Sequence, residues 1–452
     1  MVSIRHKNLI LVSCLLLTLW LLVAQATGSL MFLLPCLACF LLLVSYSAIQ
    51  GVALPVLMFF LPFAPLLKMS YNAISFYTLA LLCVYVISAV IGSKGQDVCH
   101  FIPSLLLAAL TMVVKVIKND SFSNSYLLFI VTLLLLPFIK NEFLKKYDFF
   151  GLTLYFVLGI SVAAITSQFM IYFPSILQFI NRIDFNESVR LAGYYGDPNF
   201  YSAHINAALA GIMILLFKSY SKKRMIVLIL MAIVLLYCGL LSVSKSFLLI
   251  SFCLLLLWFS KLLFSKGKIS FKFSLVFMAL VAGAFILSST VFTDSVNLIL
   301  SRFSNDNSLS DFTTKRTDIW LNYFNYLSEN PSVFFFGSGF TNVLVNDRAA
   351  HNTLIQLLFQ FGIIGTSFYA LWLLFLLKKF FNKFLFKIND LMSALILLVG
   401  CVGPWFGLDM LFFDEFFLMP LYFISGIVFV NSDSEVKTDN MDTNVSNAEI
   451  QV

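Results

Sequence analysis

The sequence predicts an all-α integral membrane protein of about fourteen transmembrane helices, and three observations carry that prediction. Hydrophobic residues make up 60% of the chain and charged residues only 11%, where a soluble domain carries about 25% charge; the mean hydropathy is +0.95. The apolar residues run continuously for about twenty positions, the length a helix needs to cross a bilayer, without the alternation of a membrane β-barrel. Lys and Arg gather in short connectors between these runs. That is the positive-inside pattern, so the net charge of +7 is not the footprint of a nucleic-acid binder.

Windows of about 17–25 apolar residues place spans near 9–27, 29–47, 52–67, 73–91, 101–118 and 125–140. Further spans fall near 149–172, 199–217, 225–241, 246–264, 272–291, 352–377, 391–408 and 411–430. The opening Arg5-His6-Lys7, apolar run 9–23 and Ala24-Gln25-Ala26 have the outline of a signal peptide. Cleavage there would leave residues 30–44 at the new terminus with no domain to export, so this stretch reads as the first span. Segment 52–67 is short and carries Pro55, Pro62 and Pro65; it reads as re-entrant or merged with a neighbour, and the count therefore runs from twelve to fourteen.

With fourteen spans the basic connectors Arg5-His6-Lys7, 140–146, 218–224, 261–272 and 378–387 all fall on one side. Both termini are then cytoplasmic, and loops 173–198 and 292–351 face outward. Residues 1–430 form one membrane domain without an internal repeat. Residues 431–452, with five acids and one lysine among polar residues, read as a disordered cytoplasmic tail. The eight cysteines lie in or beside apolar runs. Cys36 and Cys39 have CxxC spacing, but without a second pair they read as buried thiols rather than a zinc or redox site.

The first outward loop contains Arg190, Gly193 and Gly196, then Asp197-Pro198-Asn199. Asp before Pro before an apolar run is a helix start, with Asp197 as N-cap and Pro198 as the first helical residue; the same helix end could instead hold an anion on its free N–H groups. Asp197, Tyr201 and His204 share one helical face, and Asn199, Ser202 and Asn206 the adjoining one. Such a helix lines a polar cavity or packs polar-to-polar on a neighbour.

In the second loop, Ile319, Trp320, Tyr323, Phe324 and Leu327 predict an amphipathic helix over 314–327, ended by Pro331. Arg316, one turn before Trp320, is either a catalytic cation or a headgroup or stacking contact. Gly337-Ser338-Gly339 marks a tight turn, and His351-Asn352 opens the next span, where Asn352, Gln356 and Gln360 recur every four residues. Ser242-Val243-Ser244-Lys245-Ser246 joins two spans on the outside; its lone Lys either snorkels or meets an anion. The last outer hairpin carries Asp409, Asp414 and Glu415 among Trp405, Phe406, Phe412 and Phe413, as ordinary interfacial carboxylates or as a base near a sugar acceptor.

These motifs together resemble the O-antigen ligase/polymerase superfamily over residues 150–380. Arg190-x-x-Gly193 with Asp197-Pro198-Asn199 resembles its "RxxG…PN" entry, and Ser242-x-Ser244-Lys245 its "SxSR" turn, with Lys in place of Arg. Arg316-x-x-x-Trp320 resembles its "RxxxW" helix and Phe336-Gly337-x-Gly339-Phe340 its "FGxGF" turn. His351-Asn352-Thr353-Leu354-x-Gln356-x-Leu358 with Gly362-Ile363-Ile364-Gly365 resembles "HNxxLQxL…GxxG".

What the resemblance implies is a GT-C-like, inverting glycosyltransferase of the bacterial inner membrane that uses no metal and no cofactor. The donor would be an undecaprenyl-pyrophosphate-linked glycan; the acceptor would be a second lipid-linked glycan for a polymerase, or lipid A–core for a ligase. A chain-length regulator, a flippase and membrane lipids are the implied partners. The catalytic candidates are His351, Arg190 and Arg316, and the substrate-binding candidates are Lys245, Asp197, Asn199, Asn352, Gln356 and Trp320. Fixed cations suit a departing pyrophosphate, and an imidazole suits a hydroxyl that must lose its proton. Lys245 keeps the charge but lacks the bidentate fork of Arg. The rival class is a lipid-linked oligosaccharide transporter, which would place charges near the bilayer midplane in paired broken helices; here Lys115 and His204 are the main ionisable groups inside spans.

Overall fold

The computed structural model describes residues 4–70, 73–92, 101–120, 124–135, 148–170, 190–217, 222–264, 315–341, 344–380, 388–411 and 413–430, with a few single residues between them. The expected span 272–291, most of loop 173–198, the first part of loop 292–351 and the tail lie outside these. All regular elements among the described residues are helices; an isolated bridge joins Val345 and Arg348. In order they are α1 (Ile4–Thr27), α2 (Leu30–Ile49), α3 (Ala53–Phe60, running into a 3-10 turn Leu61–Leu66), α4 (Phe76–Gly92), α5 (Ile102–Ile117) and α6 (Asn124–Leu135). Then come α7 (Phe149–Met170), α8 (Pro198–Leu215), α9 (Lys222–Leu241), α10 (Lys245–Phe264), α11 (Arg316–Glu329), α12 (Pro331–Phe336), α13 (Thr353–Phe380) and α14 (Ile388–Val402). The last is α15 (Glu415–Val430).

Among the described residues, six helices, α1, α2, α7, α9, α10 and α13, are long and apolar enough to cross a membrane. Six shorter apolar segments, Ala53–Leu66, Phe76–Val90, Ile102–Ile117, Tyr126–Leu135, Leu391–Phe406 and Glu415–Val430, accompany them. The longer helices turn residues such as Leu16, Leu19, Met31 and Leu42 to the outside, the reverse of a soluble bundle and the pattern of a multi-pass membrane protein.

Residues 53–66 sit inside the bundle, with all but Pro65 buried. The prolines end α3 after two turns, and Gly159 lets α7 lie directly on the Phe59 carbonyl, where any Cβ would collide. α8 is buried along its whole length apart from Asn199. Of the two expectations for its polar stripe, packing against a neighbour is the one found: Ser251 donates to Asn206 Oδ1 at 3.0 Å and Ser244 donates to Asn199 Oδ1 at 2.7 Å, both from α10 or its lead-in turn.

The amphipathic helix begins at Arg316 rather than 314 because Lys315 takes a left-handed φ of 62°. It ends at Glu329. Asn330, restricted by the proline after it, leaves the helix, and Pro331 starts α12.

α13 is broken at Gly362, where φ is 64° and ψ −178°. The break frees two carbonyls that the turn Gly337-Ser338-Gly339 satisfies: Ser338 N–H donates to Phe359 O at 2.8 Å and Gly339 N–H to Gln360 O at 3.0 Å. Gln360 completes the join, its Oε1 accepting from Thr341 N at 2.7 Å and from Ser338 Oγ at 3.1 Å. A Cβ on Gly362 would lie 2.5 Å from Gly337 N and impose a left-handed strain besides. Gly362→Ala is therefore expected to cost about 2–4 kcal/mol, measured as a lower unfolding midpoint in detergent. Gly151→Ala, whose Cβ meets nothing within 4 Å, should lower it not at all.

Candidate functional site

The site is assembled at the end of the bundle where α8 starts. Asp197 caps that helix, accepting from Asn199 N–H at 2.7 Å, with Pro198 as its first residue. Its carboxylate faces the positive helix end, so the helix-cap reading of Asp197 is the one the structure shows. Arg190 reaches across to the turn between α9 and α10: Nε donates to Ser242 O at 2.9 Å and Nη2 to Val243 O at 3.1 Å. Leu191 N–H adds a bond to Leu241 O at 3.0 Å. Val243, β-branched, is held at φ 48°, a conformation that costs about 1–3 kcal/mol and persists only where the surroundings impose it. Arg190 and Asn199 thus fix the turn that presents Lys245.

A second group faces it from the other half of the chain. Ile319, Tyr323 and Leu327 of α11 pack with Val333, Val345, Ala350, Ile355 and Phe359. Trp320 Nε1 donates to Ala350 O at 3.0 Å and Tyr323 OH to Arg348 O at 2.9 Å. These bonds strap α11 to the segment leading into His351, which sits at φ 47°. Asp409, from the hairpin after α14, lies directly beneath. Its carboxylate accepts from His351 N–H at 2.9 Å and from Asn352 N–H at 3.3 Å. The His351 imidazole, 47% exposed, brings Nδ1 within 3.6 Å of Asp409 Oδ2, whose side chain is 14% exposed. Thr353 locks the same junction, donating to Leu408 O at 2.6 Å and accepting from Met410 N–H at 3.0 Å.

Burial pushes the Asp409 carboxyl above its ordinary range; the His351 charge, the two backbone N–H groups and Arg316 draw it part of the way back. Arg316 also joins the two groups. A Cβ placed on Gly407 would lie 2.8 Å from Arg316 Nη1 and 3.8 Å from Ser246 Oγ, so the guanidinium lies over Gly407 on the side where the Lys245 turn ends. Neither a protein-family model nor a curated protein matches the chain.

The geometry of the chain's own residues sorts the sequence candidates. Arg316, His351 and the Lys245 turn come together with Asp409. Arg190, Asn199 and Trp320 hold backbone that carries them. Asn352 is committed to capping α13, its Oδ1 accepting from Leu354 N–H at 3.0 Å and Ile355 N–H at 3.3 Å. Gln356 is buried and its Oε1 has no hydrogen-bond partner among the described residues. Sequence reasoning left Asp409 undecided, since its partner lies 58 positions away and no local pattern announces the pair. His204, found without an evident partner in the sequence, meets Glu415 Oε1 at 2.9 Å inside the bundle. Lys115 lies against the Tyr126 ring.

Proposed function

We propose that the chain is a membrane glycosyltransferase of the O-antigen polymerase/ligase type, with about fourteen spans and its site on the outer face. The observation that carries this is an accessible imidazole backed by a carboxylate, with a guanidinium beside it and a lysine-bearing turn adjacent, at one end of an apolar helical bundle. The acceptor hydroxyl oxygen attacks the anomeric carbon of the donor sugar from the face opposite the pyrophosphate. The C–O bond to phosphate breaks, the electron pair leaves with the pyrophosphate, and the hydroxyl proton passes to His351. With a proton on Nδ1 directed at Asp409, the Nε2 lone pair faces the acceptor. Arg316 and Lys245 stabilise the charge growing on the leaving group, which needs no metal in this scheme.

Between the acceptors, repeat-unit polymerisation is preferred on the sequence resemblance. Transport is the second reading, favoured by the His204–Glu415 pair, because ionisable groups within a bundle mark ion or substrate paths by default.

Lys245→Arg should retain transfer within about threefold, since charge and reach are kept, when assayed with lipid-linked donor in membranes. Lys245→Met should lose at least about tenfold. The function itself is tested by the length distribution of lipid-linked and surface glycans in cells lacking the gene. Single repeat units on carrier or core identify a polymerase. Full-length polymer stranded on carrier lipid identifies a ligase, and unpolymerised units retained on the cytoplasmic face a transporter. Normal polymer overturns all three.

A further inference from the structure

We propose that α12 and the turn after it dip into the bilayer, seating Phe335 and Phe336 against acyl chains of the leaflet at the His351 end. The segment Pro331-Ser-Val-Phe-Phe-Phe-Gly-Ser-Gly-Phe340 has five apolar side chains besides its proline and no charge, between the polar Glu329-Asn330 and Asp347-Arg348. Its own core contacts use Val333 and Phe340, which are buried, and leave Phe335 and Phe336 exposed at 48% and 49%. In water two half-bare phenylalanines would each forgo about half of the ~1.5–3 kcal/mol that burying a whole side chain yields. An amphipathic interfacial element recovers that by lying about 5–10 Å into the headgroup–acyl boundary.

Two rulers place the segment at that depth. Lys378 and Lys379 mark the far interface of α13, and ~30 Å of hydrocarbon is about twenty helical residues, which puts the near border close to Leu358. Gly362, whose added Cβ would meet Gly337 N and the Phe335 carbonyl carbon at 2.5 Å, then lies about 6 Å inside it. The second ruler is the end of α5. A Cβ on Gly339 would lie 2.9 Å from Val114 Cγ1 and 3.5 Å from Lys115 N, and Lys118 Nζ donates to Ser338 O at 3.3 Å. At that same level α5 turns Val116 and Ile117 outward, Ile117 at 77% exposure, and the Lys118 ammonium on Ser338 O sets that carbonyl at the border of the headgroups.

Backbone chemistry agrees with immersion. Irregular chain is tolerated at membrane depth only where its polar groups are met by protein, and the turn and the break in α13 satisfy one another through Ser338 N–H and Gly339 N–H. The occupant is argued from continuity: Ile363, next to the break, is exposed at 41%, so the bare phenylalanines extend the lipid-facing side of a spanning helix.

The experiment places a tryptophan at Phe335 in the full chain, reconstituted in phosphatidylcholine vesicles carrying bromine on the upper acyl chain. Emission added over the parent protein is read against bromolipid and against aqueous acrylamide. Phe335→Trp should lose at least about half its added emission to bromolipid and little to acrylamide. Ser328→Trp, on the exposed face of α11, should do the reverse. Acrylamide quenching at 335 matching that at 328, or quenching by neither agent, overturns the proposal. Phe336→Trp repeats the test if the first variant does not fold.

Discussion

Replacing Arg316 by alanine is expected to lower glycan transfer at least about 100-fold while leaving the protein folded in the membrane at normal abundance. The two halves of that result have separate physical causes. α11 is held by Ile319, Tyr323 and Leu327 in their cluster and by the Trp320 and Tyr323 hydrogen bonds, and none of these uses the guanidinium. The side chain lies instead over Gly407, where a departing pyrophosphate would meet its fork. Arg316→Lys keeps the charge without the fork and should recover only part of the rate.

Arg190→Ala makes the instructive contrast. It removes two donors from the Ser242 and Val243 carbonyls and releases a strained turn, so activity and stability should fall together, the latter by about 1–3 kcal/mol. Transfer rate and thermal stability, measured side by side on purified protein, separate the two arginines. Full activity in Arg316→Ala would remove Arg316 from the stabilisation of the leaving pyrophosphate.

Why the two arginines look alike in the sequence and differ in the structure is a matter of range. Helices such as Phe149–Met170, Lys222–Leu241 and Lys245–Phe264 were legible within a few residues because apolar run length is a local property. The Asp197 cap was legible for the same reason. Segment 52–67 was ambiguous because its burial depends on α7 crossing it at Gly159, far along the chain. Asn352 read as part of an amide stripe; that it caps α13 instead follows from His351 turning left-handed one residue before. The contacts that define the site, Arg190 to Ser242 and His351 to Asp409, join residues 52 and 58 positions apart, and the His204–Glu415 pair inside the bundle spans 211. They are set by the order in which helices pack, and no spacing in one sequence encodes that.

The pair of His351 and Asp409 gives the other large effect. His351→Ala should lower transfer by about 10²–10⁴-fold, the usual worth of a general base. Asp409→Asn should lower it by about 10–100-fold, yet its effect on stability should run the opposite way. Burial raises the folded carboxyl above its 3.8 reference, so the folded state holds that proton more tightly than the unfolded chain. Stability from this group is then greatest below about pH 4 and declines as pH rises through the folded value. Asparagine keeps an oxygen for the His351 and Asn352 N–H groups but has no proton to lose, so Asp409→Asn should match or exceed the parent in unfolding midpoint at pH 7–8. The difference between the two proteins should shrink as pH falls toward 4. Were Asp409 only a cap, the variant would be less stable at neutral pH, and its rate would fall no further than its folded fraction. Slower catalysis in an equally or more stable protein would mean that the carboxylate's charge is retained beside His351 against its own cost to folding, as function at a site demands.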